Sequence, residues 1–133
     1  MARATLELPG EREAGGNARA ALAHLLGSHL DDDELVRLKI VVSELVNNAL
    51  LHGRVGPADT MVVHVRVRAD CVRGEVQDRG AGFAWAGSRD PSRAGGFGLL
   101  LVDAESDRWG VGCGDPADVW FEFDREPGAA GTG

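Results

Sequence analysis

The stretch from residue 31 to residue 53 constrains the fold more than any other part of the chain, because it has every mark of one long amphipathic helix. Asp31 and Glu34 are three residues apart, the pattern of a capping box at a helix start. Gly53 suits the left-handed position that ends a helix. The apolar residues between them recur at helical spacing: Leu35, Leu38, Val42, Leu45 and Ala49. The pattern predicts a helix from about 32 to 52 with one buried face.

The segments around this helix predict an α+β domain. Helical spacing recurs at 17–30 and 97–105, and polar and apolar residues alternate in five predicted strands: 3–8, 61–69, 71–78, 107–111 and 118–123. The first is expected at a sheet edge, and the other four form two hairpins. Residues 79–94 predict a long surface loop, and residues 125–133 a disordered tail. The large apolar residues of the second half are expected in the core: Leu99, Leu100, Leu101, Val102, Trp109, Trp120, Phe121 and Phe123.

Composition narrows the function. The 133 residues suit one domain, and a formal charge of −7 argues against binding to nucleic acid or an anionic membrane. Cys71 and Cys113 lack the spacing of a zinc site, no hydrophobic signal core opens the chain, and no apolar run could span a bilayer. Lys39, the single lysine, has no phosphate-binding loop around it. We therefore expect a cytoplasmic protein with reduced thiols.

Three polar residues, Glu44, Asn48 and His52, follow one another at intervals of four in the long helix. Such a step advances only about 40° around a helix, so the three side chains can face one ligand. Mg²⁺ prefers oxygen ligands and takes few from the protein, which suits Asn48, while Glu44 could polarise an attacking hydroxyl. The alternative is a solvated helix face on which His52 is a favourable cation at the helix end.

Two glycine clusters follow this helix. Asp78 ends a predicted strand and precedes Gly80 and Gly82, so a ligand could approach the backbone closely there and Asp78 could accept a hydrogen bond from adenine. The second cluster lies before a predicted helix, whose N-terminal amides could hold phosphates: Gly95, Gly96, Phe97, Gly98 and Leu99. Alternatively, the first cluster is an ordinary turn and the second a loop closing on a core helix. The conjunction of three motifs in this order favours a magnesium-nucleotide site.

In these motifs the chain resembles the GHKL ATPase superfamily over about residues 4–124. The family pattern E-x-x-x-N-x-x-x-H matches Glu44, Asn48 and His52. The pattern D-x-G-x-G matches Asp78, Gly80 and Gly82, and G-x-G-L matches Gly96, Gly98 and Leu99. The resemblance implies the Bergerat ATP-binding fold, a two-layer α/β sandwich in which helices pack on one face of a mostly antiparallel mixed sheet.

Among these proteins the chain looks most like the small anti-sigma regulatory kinases of actinobacterial type. That resemblance implies binding of Mg²⁺ and ATP and transfer of the γ-phosphate to a serine or threonine of an anti-anti-sigma (STAS-type) partner. It also implies capture of a sigma factor and pairing as a homodimer. Asn48 would hold magnesium, Glu44 would assist transfer and Asp78 would read adenine. Arg89 and Arg93 would add positive charge in the loop.

One departure from the family pattern leaves a second function open. The closing strand usually carries a threonine near the adenine-reading aspartate, and here Asp118 is expected at that place. Two ionised carboxylates about 4 Å apart would repel by roughly 4 kcal/mol at an effective dielectric of 20. The alternative is a non-catalytic binding module with weak or no nucleotide binding. A third possibility, the detached domain of a histidine kinase, is disfavoured because the chain lacks room for a dimerisation domain.

Overall fold

In the described part of the chain, a sheet of five strands carries three α-helices on one of its faces. The computed structural model describes residues 1–52, 59–79, 97–111 and 118–126, and at 51–52, 78–79, 97–100, 111 and 118 it describes the backbone alone. The strands are β1 (Ala2–Pro9), β2 (Thr60–Val67), β3 (Cys71–Arg79), β4 (Arg108–Val111) and β5 (Asp118–Asp124). The helices are α1 (Ala14–Leu26), α2 (Asp32–His52) and α3 (Phe97–Glu105).

The strands follow the order β1, β2, β3, β5, β4, so β1 is an edge strand as predicted. Every pairing among the described strands is antiparallel, in agreement with the mostly antiparallel sheet that the resemblance implied. Alternation along each strand buries one set of side chains under the helices and leaves the other on the opposite face, which we call the outer face. In β1, for example, Leu6 and Leu8 are buried while Thr5 and Glu7 are exposed.

The position of Trp120 differs from the prediction. Its neighbours Phe121 and Val119 are fully buried under the helices, so alternation places Trp120 on the outer face. There its half-buried ring lies 4.8 Å from the guanidinium carbon of Arg73, a cation–π contact. An apolar residue in an alternating strand is therefore not always a core residue.

Helix α2 begins and runs as its sequence predicts. The amide of Glu34 donates to Asp31 Oδ1 at 2.7 Å and the amide of Asp31 donates to Glu34 Oε1 at 3.0 Å, so the capping box is confirmed. Leu35 is partly buried against the core, and the fully buried residues of the helix are Leu38, Val41, Val42, Leu45, Val46 and Ala49. The predicted helix end at Gly53 lies outside the described residues.

Helix α1 begins three residues before its predicted start and ends at Leu26, where a short 3₁₀ turn takes over at Gly27–His29. The first turn contains Gly15, where an added Cβ would lie 2.7 Å from Oδ1 of Asn47 on α2. The small residues of this turn let α1 approach α2 closely. Apolar periodicity could not find this turn, since it contains few large apolar residues to count.

Helix α3 occupies the predicted range, but it buries less than expected. Val102 is fully buried, whereas Leu101 is 40% exposed. Successive residues of a helix are about 100° apart, and on α3 Leu101 lies on a more exposed side than the buried Val102. No helix in the described ranges is long and apolar enough to cross a membrane.

The chain end also differs from the prediction, which placed Arg125 in a disordered tail. The Arg125 guanidinium donates to both carboxylate oxygens of Glu34, at 2.8 and 3.2 Å, and to the carbonyls of Arg68 and His29. Its side chain is only 7% exposed and that of Glu34 is 10% exposed. Arg125 therefore belongs to the folded domain.

Candidate functional site

The Arg125–Glu34 ion pair fixes the direction in which α2 crosses the sheet. Arg125 follows β5, and its amide donates to the carbonyl of Asp70 in the hairpin between β2 and β3. The first turn of α2 therefore lies at the end of the sheet where β3 begins. Since α2 packs on β3 and extends for roughly 31 Å, its C-terminal half lies toward the end of β3. Asn48 and the backbone of Asp78 are thus at the same end of the sheet.

Asn48 is the central residue of this end. Its side chain is 7% exposed, and it forms no hydrogen bond with any residue of the described ranges. Buried amides in folded proteins almost always have a partner, because burial without one costs about 1 to 3 kcal/mol. A side-chain oxygen available in a buried site is a suitable ligand for a hard cation such as Mg²⁺.

Glu44 lies one turn before Asn48 and is half-buried, so its carboxylate can meet both solvent and a bound molecule. Ser43 and Leu45, its neighbours, are buried, and the Ser43 hydroxyl donates to the carbonyl of Ile40 at 3.2 Å. The expectation of a fully solvated helix face therefore fails for Asn48 and holds in part for Glu44. The side chain of His52, the last residue of α2, lies outside what the structure describes.

Helix α3 brings its N-terminus to the same region. Nε of Arg37, near the start of α2, lies 3.6 Å from Oε2 of Glu105, the last residue of α3. Because α3 packs along α2 and is about 13 Å long, its first turn lies farther along α2, toward Glu44 and Asn48. The N-terminal amides of α3 and the dipole behind them favour an anion at this position.

The register of the sheet shows how the backbones of Asp78 and Asp118, which the sequence analysis expected to be neighbours, are paired. Asp78 pairs with Met61 of β2, whereas Asp118 pairs with Gln77 of β3. The backbone register therefore does not place Asp78 and Asp118 directly opposite each other. The side chains of both residues lie outside what the structure describes, and the effect of Asp118 on a nucleotide pocket stays a prediction.

Several predicted site residues can be placed only in part. Phe97, Gly98 and Leu99 form the first turn of α3, of which the backbone is described. The remaining glycines and the loop arginines lie outside the described residues: Gly80, Gly82, Arg89, Arg93, Gly95 and Gly96. No group of three or more histidine, cysteine, aspartate or glutamate side chains that could hold a metal occurs in the described part of the chain. A magnesium site here would depend on Asn48 and on the ligand's own oxygens.

Two contributors to the site escaped prediction from the sequence. Gly15 leaves room for the side chain of Asn47, the neighbour of Asn48, and the adjacent Gly15 and Gly16 were the only available signal. Arg125 holds the start of α2 on the sheet, and the hydrogen bond to Glu34 raises its pKa, so the arginine stays charged. No local pattern marks that contact, because the two residues are 91 positions apart in the chain.

Comparison with known proteins agrees with this arrangement. Residues 8–112 match the family described as the histidine kinase-like ATPase domain. The RsbU and RsbW domains of Rv1364c from Mycobacterium tuberculosis share the fold at a TM-score of 0.70 and 20% identity. The match covers 96% of this chain and 34% of that chain, so this chain spans about a third of its length. No curated protein sequence matches significantly.

The family match and the architecture lead to one assignment. The antiparallel sheet with its helices on one face is the GHKL ATPase fold that the motifs predicted. Because the matched residues, 8–112, make up well over half of the chain, the protein belongs to the family of histidine kinase-like ATPase domains.

Proposed function

We propose that this protein is an anti-sigma regulatory kinase that binds Mg²⁺ and ATP and phosphorylates a serine or threonine of an anti-anti-sigma partner. The observation that carries the proposal is the buried side chain of Asn48, which has no hydrogen-bond partner in the described ranges and lies one turn from Glu44. A buried amide without a partner destabilises the folded protein, and a nucleotide-bound cation would supply a ligand for its oxygen. Family membership supports ATP as the nucleotide.

The residues divide the work of binding. Asn48 would hold magnesium through its side-chain oxygen, and magnesium would neutralise charge on the phosphates. Asp78, at the end of β3, would accept a hydrogen bond from the exocyclic amine of adenine. Gly95, Gly96 and the first turn of α3 would offer backbone amides to the phosphates. His52, at the end of α2, would support the site without contacting the reacting atoms.

The transfer step needs little from the protein beyond position and one base. The hydroxyl oxygen of the partner's serine or threonine forms a bond to the γ-phosphorus as the bond to the β,γ-bridging oxygen breaks. Glu44 accepts the hydroxyl proton, and ADP leaves. The half-buried position of Glu44 supports this role, since its carboxylate is neither sealed in the core nor fully solvated.

Phosphoryl transfer is tested directly with γ-labelled ATP, magnesium and a purified STAS-domain protein encoded in the same genome. We expect label on a partner serine or threonine with the wild type, and a rate at least about 100-fold lower with Glu44→Ala at unchanged ATP affinity. Calorimetry measures that affinity. Absence of transfer to every such partner, together with normal ATP binding, would contradict the kinase activity.

Nucleotide recognition has its own test. Asp78→Asn should abolish ATP binding in calorimetry, because the amide cannot replace both the charge and the acceptor pattern of the carboxylate. Gln77→Asn is the matched control, since Gln77 is adjacent in β3 but belongs to the outer face. Equal affinities of Asp78→Asn and the wild type would refute the adenine role. No binding by the wild type itself would favour the alternative, a non-catalytic module that docks a sigma factor or another regulator.

A further inference from the structure

The outer face of the sheet carries arginines in an unusual arrangement. Arg3 of β1 pairs in register with Arg66 of β2, and Arg66 pairs in register with Arg73 of β3. Like charges directly opposite one another destabilise a sheet. A chain with a formal charge of −7 has thus placed three cations side by side on adjacent strands. A local cost of this kind often marks a functional surface.

Acidic residues of the outer face neutralise only the β3 end of the row formed by Arg3, Arg66 and Arg73. Arg73 and Arg108 share Glu122, each at 3.0 Å, and Arg108 also pairs with Asp124 at 2.6 Å. These hydrogen bonds lower the pKa of both carboxyl groups, the Arg108 contact contributing most. The side near β4 is therefore a satisfied ion-pair network that binds no further anion readily.

The other side of the row is open. Arg3, Arg66 and Arg68 are exposed, and within the described ranges no carboxylate forms an ion pair with any of them. Two shallow grooves lie over these residues. One, of about 370 Å³, is lined by Arg3, Arg66 and Arg68 together with Met1. The other, of about 270 Å³, shares Arg3 and Arg66 and adds Glu75 and His64, whose Nδ1 lies 3.1 Å from the Thr5 hydroxyl.

We propose that the outer face over β1 and β2 docks an acidic segment of a protein partner, with Arg3, Arg66 and Arg68 as the residues that bind its carboxylates. Adjacent strands are about 4.8 Å apart, so Arg3 and Arg66 can bind neighbouring carboxylates of one segment. Arginine binds carboxylates with two parallel hydrogen bonds, which fixes orientation as well as charge. This surface lies on the opposite side of the sheet from Asn48, so docking leaves the proposed nucleotide site open.

Charge distribution favours a protein segment over a nucleic acid. A nucleic acid presents a continuous row of phosphates and needs an extended basic track. Here the open arginines lie only on β1, on β2 and directly after β2, and next to them Arg73 and Arg108 are already paired with Glu122 and Asp124, so no extended basic track crosses the described part of the face. A short segment with two or three carboxylates matches the three open arginines.

The test uses a fluorescein-labelled peptide of about ten residues with alternating glutamate and serine, and fluorescence anisotropy at low ionic strength. The wild type should bind it, and Arg3→Gln/Arg66→Gln/Arg68→Gln should weaken binding about tenfold to hundredfold, as expected for three exposed ion pairs. Added salt should weaken wild-type binding as well. The control is Arg12→Gln/Arg19→Gln/Lys39→Gln, which removes the same charge from α1, α2 and the turn before α1 and should change affinity less than threefold.

Four outcomes would overturn the proposal. The first is no peptide binding by the wild type at low ionic strength. The second is an equal loss in both triple variants, which would indicate general electrostatic attraction. The third is tighter binding of a single-stranded oligonucleotide of equal charge through the same arginines. The fourth is concentration-dependent self-association in sedimentation velocity that only Arg3→Gln/Arg66→Gln/Arg68→Gln abolishes, since that would assign the surface to a second copy of the chain. Circular dichroism confirms that both triple variants remain folded.

Discussion

At the residue scale, Asn48 is a position where the residue best for stability differs from the residue that the proposed function needs. A leucine of similar size at this position would bury apolar surface and leave no amide without a partner. The chain nevertheless holds an amide there, at the point where α2, the end of β3 and the start of α3 come together. Functional sites are where a sequence departs from what stability alone would favour.

Asn48→Leu should therefore stabilise the free protein and impair ligand binding. We expect the free energy of unfolding in urea to rise by about 1 kcal/mol, the lower end of the cost of a buried unpaired polar group. Magnesium-dependent ATP binding should be lost. Ser43→Ala is the contrast, because that hydroxyl is buried but already donates to the Ile40 carbonyl, and its removal should bring no gain in stability. A less stable Asn48→Leu protein would show that the amide has a structural partner.

Glu122 should make stability depend on pH at the acid side. Hydrogen bonds from Arg108 and then Arg73 lower its pKa below the ordinary value of 4.5. The folded state therefore binds this proton less readily than the unfolded state. The stabilisation is fully present above pH 4.5 and is lost as the pH falls through the lower pKa of the folded state. The difference in unfolding free energy between wild type and Glu122→Gln should be larger at pH 7 than at pH 3.

The control for this prediction lies in the same ion-pair network. In a background that carries Arg73→Gln and Arg108→Gln, the effect of Glu122→Gln should lose most of its pH dependence, because the groups that lower the pKa are gone. Urea denaturation of all four proteins at both pH values measures this. A pH dependence that survives in the double background would assign the effect to another group.

At the scale of elements, periodicity predicted most of the fold, because each element has a consistent local pattern. The helix predicted at about 32–52 is Asp32–His52, and each of the five strands lies within two residues of its predicted ends. The register in which the strands pair was not predicted correctly. Asp118 is in the predicted strand, yet the prediction placed it beside Asp78 rather than opposite Gln77. A register depends on how two distant segments meet, and no local pattern records it.

The start of α1 offers a test of why its first turn contains glycine. Gly15→Ala would place a methyl group 2.7 Å from Asn47 Oδ1, whereas Gly16→Ala would meet only a flexible atom of Arg19 at 3.5 Å. Both changes gain helix propensity, up to about 1 kcal/mol in a helix interior and less in this first turn. Gly16→Ala should therefore be more stable than the wild type. Gly15→Ala should be less stable than Gly16→Ala, because its methyl group meets Asn47. Thermal or urea denaturation measures both differences. Equal stability of the two variants would mean that Asn47 moves aside without cost.

At the scale of the whole molecule, the two ends of the sheet have different tasks. The Asp78 end is where Asn48 and the start of α3 meet, and its motifs can be recognised in the sequence because their residues occur in a fixed order. That these residues bind a nucleotide stays a prediction. The other end holds α2 on the sheet through Arg125 and Glu34, and it was not predictable from local sequence. Residues of a family motif can be recognised from their spacing in the sequence. A contact between two residues that are far apart in the chain can be recognised only once the fold is known.

Arg125→Met tests whether this anchor stabilises the molecule as a unit. The change leaves Glu34 as a buried carboxylate without its cation, and breaking such a pair costs about 3 to 5 kcal/mol. In Arg125→Met/Glu34→Gln the buried charge is removed too, and the amide oxygen can still accept from the Asp31 amide, so stability should partly recover. Urea denaturation compares the two variants, and Arg12→Met, an exposed arginine, serves as the control for loss of charge. If the double variant were no more stable than Arg125→Met, the loss would come from the carbonyl contacts of the guanidinium, and the anchor would not depend on the ion pair.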